Sequence, residues 1–361
     1  MHMVKNCGSN LQAYALQHKL QQMGHDAELI DYYYQPPSSK TFSIQNIISF
    51  ILDAITGFPK RRQRSRFKKF QEKYYHTSKF YDKDSIKENP PVYDLYMSGS
   101  DQVWNPRYIK DDTNFMLSFA DASCRKVSYA SSFACAEIPE EYAKKYAVAL
   151  NQYDKISVRE QAGIDIVKKI TGKEAQLACD PVLLLDQSEW SELAGEDRPC
   201  KEPYILVYTL AYMFNPRPGI YNIIESVQKK LGYKVIYLNG TKKEKFKSNS
   251  NVVKDFGPIE FLQWIKNAEF VITDSFHCTA FSVIFNRPIM GVVKSIDTKD
   301  GRLTTLLKKV GAEKSIIAFS AASEYISDDI NIFTRDNNKL SEYRSKSTSI
   351  LCNLLSLPNK K

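Results

Sequence analysis

The stretch from Glu269 to Val293, EFVITDSFHCTAFSVIFNRPIMGVV, constrains the fold more than any other part of the chain. Phe270-Val271-Ile272-Thr273 is an apolar, β-branched run that predicts a buried strand. Asp274-Ser275-Phe276 makes a polar turn, and Phe281, Ile284 and Phe285 follow with helical spacing. After Pro288 a second short run, Ile289 to Val293, predicts another strand. Strand, turn, helix, strand is the βαβ unit of a parallel sheet, and ligands settle outside the carboxyl ends of such strands. His277, one of five histidines, falls at that place. It is either a structural group at a helix start or a group at a site, and the pattern leaves both open.

The same alternation organises the rest. Gly8-Ser9-Asn10 stands before an amphipathic helix that begins at Leu11 and ends near Gly24. The triplet reads as a flexible turn with an N-cap and exposed amides, suited to an anion or to plain capping. Ala27 to Ile30 predicts a strand after that helix, so a strand is expected before it as well. Only a handful of residues stand there, and the expectation is a first strand that is very short or missing, although such a strand is often central in a doubly wound sheet. Tyr93 to Met97 predicts the next strand and delivers Asp101 and Gln102 at its carboxyl end. Strands at Lys126 to Ala130 and Lys155 to Val158 follow, the second presenting Arg159 and Glu160; Asp180 comes after the next helix. A lone arginine at a strand end is usually a surface ion pair. Asp101, Arg159 and Asp180, recurring at strand ends, point to a shared crevice.

Near Asp186 the pattern breaks, and Ser188 to Pro203 reads as an interdomain segment. A second α/β series starts at Tyr204. A chain of 361 residues exceeds what one core usually serves. The expectation is two Rossmann-like α/β domains facing each other across a cleft. The first spans 1–187 with a helical, basic excursion over about 42–80. The second spans 204–361, carries His277, and ends in a helix expected to pack back on the first domain.

The net charge of +9 suits an anionic substrate, a membrane surface or nucleic acid without choosing among them. Seven of the ten residues from Lys60 to Lys69 are Lys or Arg, with no recognition motif beside them, which speaks against nucleic acid. Apolar residues with helical spacing precede this run. The segment 42–69 is therefore a candidate for peripheral contact with anionic lipid, the alternative being a solvated basic face. Seven scattered cysteines without a CxxC pair point to reduced thiols in the cytoplasm and to no zinc or other metal site. No basic-then-apolar leader and no membrane-spanning apolar run stands out. A cytoplasmic location is expected, at the inner face of the membrane if 42–69 docks there.

Five motifs in order, GSNLQAYAL from Gly8, GSDQVWN from Gly99, SVRE from Ser157, DPV from Asp180 and TDSFH from Thr273, resemble the polysaccharide pyruvyl transferase family. The resemblance spans most of the chain. It implies a two-domain GT-B-like fold and transfer of a pyruvyl group from phosphoenolpyruvate to two hydroxyls of a sugar. The product is a cyclic ketal on a cell-surface glycan, exopolysaccharide or capsule, or on a lipid-linked oligosaccharide precursor. No cofactor is implied beyond the donor substrate. It places His277 at the donor, with Asp101 and Asp274 orienting it or holding hydroxyls. The anionic donor needs guanidinium or amide donors. Arg159 and the turn at Gly8, Ser9 and Asn10 are candidates, Arg217 a weaker one, with Gln102, Ser275 and Phe276 lining the substrate. Family members tend to have an arginine two positions before this histidine; here it is Ser275, so the charge is missing or comes from a residue such as Lys294 or Arg302. Two other readings stand beside this one: a GT-B glycosyltransferase using a nucleotide sugar, against which no E-x7-E pair appears, and a non-catalytic glycan-binding relative.

Overall fold

The computed structural model describes residues 2–33, 59–211, 214–240, 244, 249–296, 301–319 and 333–356. The chain forms two compact units. Met1–Phe42, Lys73–Leu184 and Glu342–Lys361 make the first, and Ser43–Glu72 with Leu185–Ser341 make the second. Numbering helices of eight or more residues, the chain begins α1 (Cys7–Gln22), β1 (Leu29–Tyr32), α2 (Pro59–Tyr74), β2 (Thr77–Tyr81), β3 (Tyr96–Ser98), β4 (Lys126–Ser131), α3 (Glu140–Asn151), β5 (Lys155–Val158), α4 (Gln161–Thr171) and β6 (Gln176–Leu177). It continues α5 (Gln187–Ala194), β7 (Tyr204–Tyr208), α6 (Ile220–Leu231), β8 (Lys234–Leu238), β9 (Ser250–Val253), α7 (Pro258–Lys266), β10 (Phe270–Thr273), α8 (Phe276–Ile284), β11 (Ile289–Val293), α9 (Arg302–Lys309), β12 (Ile316–Ala318) and α10 (Asn337–Leu355).

The second unit is a six-stranded parallel sheet in the order β12-β11-β10-β7-β8-β9. Its inner strands are apolar runs because helices cover both faces, and every residue of β7, β10 and β11 is buried. Helix α6 sets Ile220, Ile223, Ile224 and Val227 along one stripe, packed in one core with Ile205, Val207, Val235, Phe270 and Ile272. Burying each such side chain contributes about 1.5–3 kcal/mol. Elsewhere in the unit Trp190 of α5 stands edge-on to Phe281 of α8, ring centroids 4.8 Å apart. The order reverses between β7 and β10: β8 and β9 are added on one side, β10 to β12 on the other. That reversal leaves a crevice at the carboxyl ends of β7 and β10.

The first unit holds two parallel sheets, β1-β2 and β3-β4-β5-β6. Trp104, Tyr146, Leu150, Tyr153 and Val158 anchor its core, with Trp104 edge-on to Tyr153 at 5.6 Å. The strands are short and carry polar residues that are nonetheless buried. Lys126 lies wholly inside and donates to Ala120 O and Gln152 Oε1, each at 2.6 Å.

Several expectations shift. Cys7 already begins α1, so Gly8-Ser9-Asn10 is not a turn before the helix but its buried first turn, capped by Asn6, whose side chain accepts from Ser9 N at 3.1 Å. The basic excursion was placed with the N-terminal domain; its described helix, α2, belongs with the second unit except for its last two residues. Arg62 and Arg66 pair there with Asp255, and Arg66 also with Glu260. Phe67 and Phe70 are buried beneath them. A Cβ on Gly257 would lie 2.6 Å from Cβ of Arg66, so glycine is what lets the helix approach this closely. The apolar part of the excursion, 42–58, lies outside the described residues. The supposed interdomain segment contains α5, which is closed by a capping box of Asp186 and Glu189 and packed in the second unit. The last helix has Leu340 in the second unit, whereas Leu351 and Leu354 are buried in the first. Among the described residues no helix is long and apolar enough to cross a membrane.

Candidate functional site

Each unit collects polar side chains at the carboxyl edge of its sheet. In the first, α1 supplies Ser9, the turn after β3 supplies Ser100 and Asp101, β5 leads into Arg159 and Glu160, and Asp180 follows β6. Arg159 is 3% exposed and bonds Asp180 through Nη1 at 2.5 Å and Asp101 through Nη2 at 3.4 Å. Ser9 Oγ donates to the other oxygen of Asp101 at 2.5 Å, and Ser100 Oγ donates to Asp180 at 3.0 Å. Burial works against the Arg159 charge, but Asp180 and then Asp101 more than offset it, and the guanidinium pKa is raised. Asp101 sits at φ 64°, a conformation that costs an aspartate about 1 kcal/mol or more and collects at functional sites. Its carbonyl accepts from Ser132 N at 3.0 Å, which helps hold the strained turn.

Ser9, Asp101, Arg159 and Asp180 are thus brought together, but bonded to one another. An anion would have to compete with two carboxylates for Arg159. The other candidates here serve the backbone or each other: Asn10 Nδ2 donates to Val4 O and Asn6 O, Gly8 is buried in the helix, and Gln102 Oε1 accepts from Asn105 at 2.7 Å. Sequence reasoning named Glu160 without a role. One of its oxygens accepts from Ser132 Oγ, Phe133 N and Ala134 N, tying the end of β4 to the end of β5. Nothing in its local spacing signals that, because all three donors come from the segment that follows another strand.

The second unit places its polar groups at the β7/β10 crevice. Asp274 accepts from Leu210 N at 2.7 Å and Ala211 N at 2.9 Å, bridging the two strand ends. Thr273 Oγ1 donates to Tyr208 O at 2.5 Å and accepts from Ser275 N at 3.0 Å. Ser275 is the N-cap of α8, its hydroxyl accepting from Cys278 N. His277 is therefore in the first turn of a helix whose N-terminus opens at the switch point. It is 8% exposed, and the ring of Phe276 stands nearly perpendicular to it at 5.2 Å. Arg217, in the loop after β7, bonds Glu244 through Nε at 2.9 Å and Thr209 Oγ1 through Nη2 at 2.8 Å. Of the other cations considered for the charge absent at Ser275, Lys294 is exposed at the end of β11 and Arg302 opens α9.

Burial raises the pKa of Asp274, against the pull of its two backbone donors and of Arg217. In the window between the ordinary aspartate value and the raised one, the native state binds more protons than the unfolded chain, so the contribution of this group to stability falls as pH rises. The stability of the wild type relative to Asp274→Asn is expected to decline through that window, which begins near about pH 4. Urea unfolding of both proteins across that range measures it, and a pH-independent difference would refute the shift.

A family model, polysaccharide pyruvyl transferase, matches residues 6–293 and so takes in both clusters of polar groups, though not Lys294 or Arg302. The chain belongs to the polysaccharide pyruvyl transferase family. No curated protein matches it. Among solved structures it is similar to the UDP-GlcNAc 2-epimerase of Neisseria meningitidis, with a TM-score of 0.53 and 10% identity over 82% of this chain and 90% of that one. It is also similar to a UDP-N-acetylglucosamine 2-epimerase of Listeria monocytogenes, with a TM-score of 0.51 and 10% identity over 98% and 89% of the two chains. At such identities the likeness shows the fold: tandem Rossmann-like α/β units of the GT-B type. In this member of the family, the histidine of the TDSFH stretch lies at a switch point.

Proposed function

We propose that the protein transfers the pyruvyl group of phosphoenolpyruvate to two hydroxyls of a sugar in a cell-surface polysaccharide, or in its lipid-linked precursor, as a cyclic ketal. The observation that carries the reading is family membership with His277 in the first turn of α8, at the crevice between β7 and β10. In the reaction the enol methylene of the donor takes a proton and becomes a methyl group. Each attacking hydroxyl loses a proton: one balances the proton taken up by the methylene, and the other leaves with inorganic phosphate as its C–O bond breaks and the second new C–O bond closes the ketal. No electrons are exchanged, so the residues need only move protons and hold charge.

His277 is assigned the proton transfer at the donor. The helix N-terminus behind it and Arg217 are assigned the donor's carboxylate and phosphate, so that Arg217 supplies the charge that Ser275 does not. Asp274 positions the crevice by holding Leu210 and Ala211 rather than by touching substrate. On the first unit one buried guanidinium faces two carboxylates, Asp101 and Asp180, with Glu160 beside them. That balance suits hydroxyl donors better than an anion, and Asp101, oriented by Ser9 and Arg159, is assigned to sugar hydroxyls. No cofactor is assigned. Lys60, Arg61, Arg64, Lys68 and Lys69 are exposed on α2, and we assign them peripheral contact with anionic lipid at the inner face of the membrane.

The test incubates the protein with phosphoenolpyruvate or a nucleotide sugar and a panel of oligosaccharides, following phosphate or nucleotide release together with product mass. A pyruvyl ketal formed only with phosphoenolpyruvate, and abolished in His277→Ala, is the expected result. Hexose addition from the nucleotide sugar would replace the reading with a glycosyltransferase, and binding without turnover of either donor with a glycan-binding role.

A further inference from the structure

Of the Phe, Tyr and Trp side chains among the described residues, two stand exposed, and they stand against each other. Tyr33 follows β1 at 49% exposure, Phe80 lies in β2 at 58%, and their ring centroids are 6.1 Å apart with the planes at 66°. A bulge puts them together. Leu29 pairs with Thr77 but Asp31 with Phe80, so β2 carries one residue more than β1 between those pairs. Without the extra residue Phe80 would fall opposite Tyr32, on the face where Ile30, Tyr32, Tyr81 and Ile86 pack together. With it Tyr81 takes that place, and Phe80 turns outward beside Asp31 and Tyr33. Ser78 ties down the irregular stretch, its hydroxyl accepting from Asp31 N at 3.0 Å and donating to Lys79 O at 2.7 Å. Burial raises the pKa of the Asp31 carboxyl, which is therefore partly withdrawn from water.

Two exposed rings set at an angle beside a carboxylate have the composition of a saccharide site. The C–H groups on one side of a pyranose carry partial positive charge and match the negative face of an aromatic ring. Its hydroxyls donate, and an ionised carboxylate only accepts. We propose that Tyr33, Phe80 and Asp31 form a platform for one neutral pyranose of the acceptor glycan. One ring lies under the sugar, the other along its edge, and Asp31 takes its hydroxyls. The carboxylate also sets the charge of the occupant, since it repels a phosphate or an anionic lipid headgroup placed on the same face. None of the three residues belongs to the network of Asp101, Arg159 and Asp180, so the platform selects which glycan is held rather than which hydroxyls react. That the glycan is the acceptor rests on the proposed transfer; that a pyranose stacks here does not.

Migration of the full chain in native gels cast with dextran, galactomannan or hydroxyethyl cellulose tests the platform. The wild type should be retarded by at least one of the three. Tyr33→Ala and Phe80→Ala should each weaken that retardation about tenfold or more, and Asp31→Asn should weaken it less. Tyr33→Phe and Phe80→Tyr keep the rings and should migrate as the wild type does. An unretarded wild type, or retardation that both alanine variants leave unchanged, overturns the platform. Equal loss in the ring-keeping variants overturns it too, because the ring faces would then not be what holds the sugar. Sedimentation with phosphatidylserine vesicles gives the competing outcome: vesicle binding abolished by the alanine variants would make the rings a membrane contact instead. Both residues are exposed, so the alanine variants should keep wild-type hydrogen exchange over Leu29–Tyr32 and Thr77–Tyr81. If they do not, Tyr33→Leu and Phe80→Leu, which keep apolar bulk without a ring face, take their place with the same expected loss. Retardation without ketal formation overturns pyruvyl transfer alone, and ketal formation without retardation overturns the platform alone.

Discussion

Replacing Asp180 by alanine is expected to destabilise the first unit by about 3–5 kcal/mol, because it strands a buried cation. Arg159 is 3% exposed and its bond to Asp180 is 2.5 Å, whereas the bond to Asp101 is 3.4 Å, so the closer of these two carboxylates is removed. Asp180 also accepts from Ser100 Oγ and from Val182 N, and those bonds go with it. Hydrogen-exchange protection of β4 and β5, or urea unfolding followed at the buried Trp104, would report the loss. The companion change sharpens the attribution. Arg159→Met combined with Asp180→Leu removes both charges and fills the space, and should recover most of the stability lost by Asp180→Ala alone. If the double variant is no more stable than the single one, packing around Asp180 rather than the unpaired guanidinium is what matters.

Turnover is where His277→Ala should act, lowering kcat by about 10²–10⁴-fold, the usual contribution of a positioned general acid or base. KM for phosphoenolpyruvate should change little, because the donor's charges are assigned to Arg217 and the helix amides, not to the imidazole. Arg217→Ala should show the reverse pattern, a raised KM with a smaller effect on kcat. A general loss of packing would move both parameters in both variants. His277→Gln, which keeps a polar side chain of similar reach, should fold as the wild type does and remain as slow as His277→Ala. Near-normal turnover in His277→Gln would remove the histidine from the proton-transfer role.

Much of the fold was readable from periodicity. Phe270 to Val293 is strand, turn, helix and strand as its pattern predicts, because two faces covered by helices demand continuous apolar runs and a helix demands spacing of three and four. The boundaries at the N-terminus were not readable. Gly8-Ser9-Asn10 has turn composition, yet it lies in the helix, since Asn6, two residues before the triplet, is the cap and the triplet packs inside the unit. The fate of the basic run was also beyond local reading. Seven cations in ten residues look solvated until Asp255 and Glu260, 189 to 194 positions away, take up Arg62 and Arg66.

The chain's order of residues determined which chemistry is present and where it emerges: Asp101, Arg159, Asp274 and His277 each follow a predicted strand, and Asp180 a predicted helix. Only the tertiary structure decided what those groups do for one another. Arg159 looked like a free anion ligand and became the hub of a buried network, because burying a guanidinium is tolerable only when carboxylates from other strands meet it. Asp274 looked like a catalytic neighbour of His277 and became the clamp on Leu210 and Ala211. Contacts of this kind join residues dozens of positions apart, and local sequence spacing does not encode the distance between strands that a sheet brings side by side.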